Sequence, residues 1–341
     1  MALPTTMKTL LQPSPQSTSL ISTTSPLPTP THPDDVLVRV HATCPCAGEL
    51  LWAKNFPDAV PASKVLVPCQ DLAGTVVSAP PNSAFAQGDR VYCRISAERA
   101  GAAREYALAR TSELAKIPET LNWIGAAATP LSALTAWQSL FVHGALNPNA
   151  VIGDEEAKKQ NKGKRVLVTG AAGGVGSWLV QLAALAGAGA VVAVCGPDKI
   201  EAVKELGATE VVNYRETTVG EWVAADPAGR EVDLVVDVVG GKTLAGCWEV
   251  VKGGGVLISV NTPPDVVKPA GLENKKLAKS EFFVVEPLGS NLAEIGELIG
   301  AGRVRPTVDS VWEFDEFEKA FERLESGHAK GKIVIKVSDE A

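Results

Sequence analysis

The alternation of apolar and polar residues changes character along the chain, and that change divides it. Residues 35–41 (DVLVRVH) set Val36, Val38 and Val40 against Leu37 and Arg39, which predicts a strand with one buried face. Short apolar pieces at Leu10-Leu11 and Leu20-Ile21, within a proline-punctuated first 33 residues, predict edge strands of a small sheet. Residues 42–56 read as a loop and a short helix. Further short strands with Gly and Pro turns are expected at the end of 65–78, at 88–92 and at 105–108, so residues 1–120 read as a β-barrel-like domain. From Asn122 the spacing turns helical, and 123–143 predicts two helices broken at Pro130. The polar stretch 147–164 (NPNAVIGDEEAKKQNKGK) reads as an exposed loop insertion. After it, Val-rich runs at 166–169, 190–195, 211–214, 232–239 and 255–260 alternate with helical segments at 177–187, 199–206 and 242–251. Continuous apolar strands separated by helices predict a parallel sheet buried on both faces. Residues 282–285 are expected to extend that sheet, and helices are expected at 292–301 and 316–326. The last apolar run, 332–337, has the barrel's character, so the chain is expected to return to its first domain.

Residues 165–177 (RVLVTGAAGGVGS) stand at the centre of this pattern. A buried strand, a glycine turn and a helix N-terminus in that order form a phosphate cradle: free N–H groups and the positive end of the helix dipole face the turn. Gly173 and Gly176 occupy the second and third places of the dinucleotide fingerprint, with Ala171 in the first. Composition narrows the remaining choices. A chain of 341 residues suits two domains, and 45% hydrophobic with 21% charged residues excludes a disordered chain. A net charge of −7 argues against nucleic-acid or anionic-membrane partners. Six cysteines read as reduced and mostly buried, there is no apolar run long enough to span a membrane, and the N-terminal region lacks a secretory pattern, so a cytoplasmic location is expected.

On these motifs the chain resembles the medium-chain dehydrogenase/reductase superfamily, in its zinc-free quinone oxidoreductase and enoyl reductase-like branch. The matching stretches include DVLVRVHAT (35–43), DLAGTVVSAP (71–80), QGDRVY (87–92), GAAATPLSALTAWQSL (125–140), VLVTGAAGGVGSWLVQLAALAGA (166–188), KELGATEVVNY (204–214), VDLVVDVVGG (232–241) and GHAKGKIVIKV (327–337). The resemblance implies an α/β chain with a GroES-like catalytic domain at 1–125, a Rossmann NADP-binding domain at 126–275 and a return to the catalytic domain at 276–341. It also implies a homodimer formed through the Rossmann sheet edge.

A catalytic zinc of the family's alcohol dehydrogenases needs Cys, His and a third ligand. Cys46 aligns with the first, but Gln70-Asp71 stands where His-Glu is required, and 129–135 (TPLSALT) offers no ligand, so no metal is expected. Cys44, Cys46 and Cys69 then read as small hydrophobes. For NAD, an acid should end the second Rossmann strand. Here it ends Val194-Cys195-Gly196, and by resemblance Lys199 and Tyr214 clasp a 2′-phosphate, which points to NADPH. Lys199 also reads as a solvated helix residue and Tyr214 as packing; Asp198 reads as the N-cap of helix 199–206. The cofactor is expected along Ala172, Gly173, Gly174, Val175 and Cys195, with Thr135, Val239, Val260, Asn261 and Lys332 lining its nicotinamide end. Lys332 reads equally as an edge-strand charge.

The family's Asn-Pro-x-Asp segment and tyrosine are missing. Glu49, Trp52, Lys54 and Gln70 are the polar or aromatic groups left near the reaction, with Glu49 as a candidate acid beside water. Thr135 joins them from the nicotinamide side, and His41 and His143 read as structural. The resulting expectation is an NADPH-dependent reductase of an α,β-unsaturated carbonyl compound or a quinone, resembling fungal members of secondary metabolism. The alternatives are a carbonyl or alcohol oxidoreductase and a non-catalytic NADPH-binding protein.

Overall fold

The computed structural model describes residues 3–58 and 60–340. Fifteen strands occur among them: β1 (Thr6–Leu11), β2 (Ile21–Pro26), β3 (Asp35–Cys44), β4 (Asp71–Ser78), β5 (Arg90–Arg94), β6 (Tyr106–Arg110), β7 (Ala115–Lys116), β8 (Arg165–Val168), β9 (Ala190–Cys195), β10 (Glu210–Asn213), β11 (Val232–Asp237), β12 (Val251–Ser259), β13 (Lys279–Phe282), β14 (Val308–Glu313) and β15 (Lys332–Lys336). The chain divides into two units, 1–134 with 286–341, and 135–285. The first division falls later than the 125 that the resemblance implied, since helix Trp123–Ala127 packs on β3 and β4, and the second falls at 285 rather than 275.

The first unit is built on a seven-stranded sheet ordered β14-β15-β3-β4-β5-β7, with β6 also paired to β3. The long strand β3 organises it: Val36, Val38 and Val40 are buried with Leu72, Val76 and Val91 in one core. The C-terminal strand β15 lies between β14 and β3, so the chain does return to its first unit. The N-terminal strands β1 and β2 form a separate antiparallel pair. Registers pair Cys44 with Asp71 across β3–β4, and Asp71 with Arg94 across β4–β5. Three cross-strand neighbours therefore stand in one row.

The second unit is a six-stranded parallel sheet ordered β10-β9-β8-β11-β12-β13. Order reverses between β8 and β11, the switch point at which such sheets bind ligands at their strand C-termini. The core on one face gathers Leu167, Val192, Val235, Leu257 and the fully sealed Trp248.

Three expectations need correction. The stretch 147–164 is not a loop insertion: Asp154 caps helix Glu155–Lys162 by accepting from Glu156 N and Ala157 N, and buried Asn161 ties the helix to Asn147 and Ala186. Its charges follow the helix dipole, acids first and lysines last, which a charge count alone conceals. The edge strand β13 is KSEF at 279–282 rather than 282–285; Phe283 instead stacks on His143 at 4.1 Å. Asp198 is not the N-cap of a helix 199–206: it lies inside a 3₁₀ turn, Pro197–Lys199, and Lys199 stands at the N-cap of helix Ile200–Glu205. Gly170, the residue before Ala171, lies in the left-handed region at φ +58° and turns the chain out of β8.

Candidate active site

In the Rossmann unit, helix Gly174–Leu185 starts at Gly173 with no side-chain cap, leaving its first-turn N–H groups available to an anion. Gly174 and Val175 lie in that first turn, with Ala172 and Gly173 before it. A Cβ on Gly176 would fall on the Gly170 carbonyl oxygen and 2.7 Å from Ala171 Cα. The absence of side chains thus permits the close packing of turn and helix that a pyrophosphate cradle needs, and the residues fit a dinucleotide. At the strand ends, buried Asp237 fixes the loops. Its Oδ1 accepts from Thr169 Oγ1 at 2.7 Å, and its Oδ2 from Gly240 N at 2.8 Å and Ser259 Oγ at 3.2 Å. Ser259 Oγ in turn accepts from Asn261 N at 3.2 Å. Val239, Val260 and Asn261 are held in place this way, with Val239 and Asn261 exposed. Asp237 was not singled out from the sequence; an acid closing the apolar run VDLVVD was its signal.

Cys195 ends β9 and is buried. The Gly196 that follows lies beside both Asp198 Oδ1 and Tyr214 OH, each 3.2 Å from where its Cβ would sit. Tyr214 is exposed and carries the Arg215 guanidinium 5.4 Å over its ring, while Lys199 is half-buried. Arg215 escaped the sequence reading because it lies one residue beyond the strand-end position examined. Thr135, in helix Pro130–Trp137, is buried and its carbonyl accepts from Ser139 Oγ at 2.7 Å.

The barrel unit holds the other candidates, Glu49, Trp52, Gln70 and Lys332. A pocket there is lined by Glu49, Trp52, Lys64 and Gln70. Both Glu49 oxygens accept backbone N–H groups, from Cys46 at 3.1 Å and from Cys69 at 2.9 Å. The second holds Cys69 at φ +66°, a conformation strained for a residue with a side chain. Burial outweighs these bonds and pushes the Glu49 carboxyl up to about 7. Its folded form thus binds a proton more tightly than the unfolded chain. The stability this contributes is present below the ordinary value of 4.5 and is lost as pH rises through about 7. At 1.36 kcal/mol per unit the loss is about 3 kcal/mol. Urea unfolding at pH 5 and 8 should show it, and Glu49→Gln should flatten the slope; an unchanged slope would mean that Glu49 does not titrate in this range.

Lys332 is no edge-strand charge. Its Nζ is buried 3.0 Å from Asp71 Oδ2 and donates to the Pro45 carbonyl at 3.2 Å. Burial, the largest single influence, opposes the ammonium, but Asp71 together with the neighbouring Cys44 and Cys46 holds Lys332 above the ordinary lysine range. With its amide oriented to suit its surroundings, Gln70 donates to the Ile95 and Ser96 carbonyls, both at 3.1 Å. Cys44 and Cys69 are buried and Cys46 half-buried; burial raises all three thiols, Cys46 to about 11, so none is a ready thiolate. This donor set does not fit a catalytic zinc: the amide at position 70 is committed to carbonyls, and among the described residues no three His, Cys, Asp or Glu side chains gather as a metal site. His41 is structural, bonded to Ser338 and Thr75 and stacked on Trp123 at 4.2 Å.

Residues 32–119 match the model of the alcohol dehydrogenase GroES-like domain, and 206–335 that of the zinc-binding dehydrogenase. A protein of Arthroderma benhamiae named "Probable zinc-binding oxidoreductase, mitochondrial" is 47% identical over 94% of this chain and 94% of its own. The chain belongs to the medium-chain dehydrogenase/reductase superfamily, in its quinone oxidoreductase-like branch. This oxidoreductase is also 31% identical to the chloroplast envelope quinone oxidoreductase homolog of Arabidopsis thaliana, over 91% of this chain and 92% of that one. The quinone oxidoreductase structure from Coxiella burnetii shares the fold, at 24% identity and TM-score 0.77 over 98% of this chain and all of that one. Superfamily members use NAD(P)H, and the cradle of this chain is suited to it. The expected cytoplasmic location is corrected: the Arthroderma relative, like the zebrafish and mouse NAD(P)H oxidoreductases that match this chain, is named mitochondrial. Compartment is a receptor-read address, and lacking a secretory pattern did not exclude this one.

Proposed function

We propose that this oxidoreductase is an NADPH-dependent, zinc-independent reductase of an activated C=C bond, in an α,β-unsaturated carbonyl compound or a quinone. The observation that carries this reading is Gln70, whose NH₂ is held by the Ile95 and Ser96 carbonyls at the place where a metal ligand would be needed. Without a metal to hold an alkoxide, alcohol oxidation lacks its Lewis acid. Reduction of an electrophilic carbon needs only hydride, which the bound nicotinamide cofactor would supply. The chain's part is to bind, orient and exclude water. The glycine turn and helix Gly174–Leu185 would hold the pyrophosphate, and Asp237 keeps the strand-end loops at Val239, Val260 and Asn261 in position. Glu49, near half-protonation at neutral pH, is the proposed proton reservoir beside the pocket, and Trp52 and Gln70 form part of its wall. A quinone-type substrate agrees with the names of the plant relatives.

The choice of NADPH rests on β9 ending at Cys195-Gly196 without an acid, and on Lys199, Tyr214 and Arg215 grouped around that end. Asp198, beside Gly196, is the observation that favours NADH. Fluorescence titration decides between them. NADPH is expected to bind at least tenfold more tightly than NADH. Arg215→Ala or Lys199→Ala should each weaken NADPH five- to tenfold and NADH hardly at all. Equal binding of the two cofactors would sink the NADPH assignment. Stoichiometric zinc in the same sample would sink the zinc-independent one. Homodimerisation through the β13 edge is proposed on the resemblance alone.

A further inference from the structure

Glu49 has a chemical requirement that its protein partners do not meet. Both of its oxygens accept N–H groups, from Cys46 at 3.1 Å and from Cys69 at 2.9 Å. An N–H cannot accept, so the O–H of the neutral carboxyl finds no acceptor in these two contacts. The residue is 8% exposed, and burial favours that neutral form.

Two further groups around the same pocket are short of partners. Gln12, just past β1, is 6% exposed and spends its NH₂ on the Ser17 carbonyl at 2.5 Å and the Leu50 carbonyl at 2.7 Å. Its amide oxygen takes no hydrogen bond from the described residues, yet it is not sealed, so a water molecule can reach it. Half-buried Lys64 donates one of its three protons to the Ala97 carbonyl at 2.6 Å and pairs with no described carboxylate. Gln12, Glu49 and Lys64 all line one pocket, with room for water centres of about 20 Å³. A single ordered water needs about 10–15 Å³ of such room and two to four polar partners. An acceptor on Gln12, a donor on Lys64 and a carboxyl that can be either match the two donors and two acceptors of one water.

We propose that this pocket binds one internal water, held between the Gln12 amide oxygen, the Lys64 ammonium and the Glu49 carboxyl, and that Glu49 exchanges its proton through it. The neutral carboxyl donates its O–H to the water oxygen. On ionisation that proton passes to the water, a proton of the water passes on to solvent, and the water turns to donate to the carboxylate. Gln12 and Lys64 are positioning residues here: they hold the water, and the water serves both forms of Glu49. The water site stands without the reductase reading above; only the use of Glu49 as a proton reservoir rests on it.

A crystal structure of the ligand-free protein, at a resolution that shows ordered waters, tests the site. One water is expected within hydrogen-bond distance of Gln12 Oε1, Lys64 Nζ and a Glu49 oxygen. No water, or a water that meets fewer than two of the three, overturns the proposal. Ala53 lines the same pocket, and Ala53→Leu should displace the water. Filling a wet pocket leaves the Gln12 oxygen and the Glu49 proton without a partner, so the urea midpoint should fall. A midpoint equal to or above wild type would mean that the space is dry, and would overturn the proposal. The wild-type structure decides the site even where that variant fails to fold. Infrared difference spectra of wild type minus Glu49→Gln at pH 5 read the proton itself. The Glu49 carboxyl C=O stretch is expected there, and it should move to higher wavenumber in Ala53→Leu, where the O–H has lost its acceptor. An absent band, or one that Ala53→Leu leaves unmoved, overturns the exchange role. None of these readings uses turnover, so failure of the reductase reading shows separately, as no NADPH oxidation with an enone or quinone.

Discussion

Gly176→Ala is expected to abolish tight cofactor binding, lowering NAD(P)H affinity by at least about a hundredfold and stability by about 1–3 kcal/mol. The added methyl would fall on the Gly170 carbonyl oxygen and within 2.7–2.8 Å of Ala171 Cα and C, all of it backbone. No side chain can swing aside, so the turn and the first helical turn must part. The N–H groups that face a pyrophosphate would part with them. Gly163→Ala is the matched control. Gly163 has an ordinary helical φ of −79° and open space around its Cβ position, so this change should stay within about 0.5 kcal/mol and leave binding intact. Fluorescence titration and urea unfolding read both variants. Full affinity in Gly176→Ala would mean that the glycine turn does not hold the cofactor.

Lys332→Met should cost about 3–5 kcal/mol of stability, because it strands Asp71 as a buried anion 1% exposed. The double variant with Asp71→Asn should recover much of that loss. An asparagine oxygen can still accept the Leu131 N–H, and the two charges of the Lys332–Asp71 pair leave together. Urea unfolding of the two single variants and the double variant forms a mutant cycle with a coupling of a few kcal/mol. If Lys332 only contacted the cofactor, Lys332→Met would lower affinity and leave the unfolding midpoint where it was.

These two residues also show how far the sequence could be read. The strand–glycine–helix order around Gly176 is local, and local order is what hydrophobic periodicity and turn chemistry report. The parallel sheet of the second unit was legible for the same reason, since Val-rich runs such as VDLVVD have no polar face to offer solvent. The return of the chain at β15 was legible from its barrel-like composition. Residues 147–164 misled because charge was counted without direction; the acids and lysines are ordered along a capped helix. Asp198 misled in the opposite way, as a good capping residue placed inside a 3₁₀ turn where no cap is needed.

Pairing across distant segments was beyond periodicity. Lys332 meets Asp71 across 261 positions of sequence because β15 inserts beside β3. Asp71 and Arg94 become neighbours only through the β4–β5 register. Asp237 reads as one more residue of a strand until Thr169, Gly240 and Ser259 converge on it. By itself the sequence determined the two architectures and the strand–glycine–helix turn, because each depends on residue type within a short window. Only the tertiary structure decided which buried charges meet, because neutralisation in a buried site depends on what the fold brings within a few ångströms.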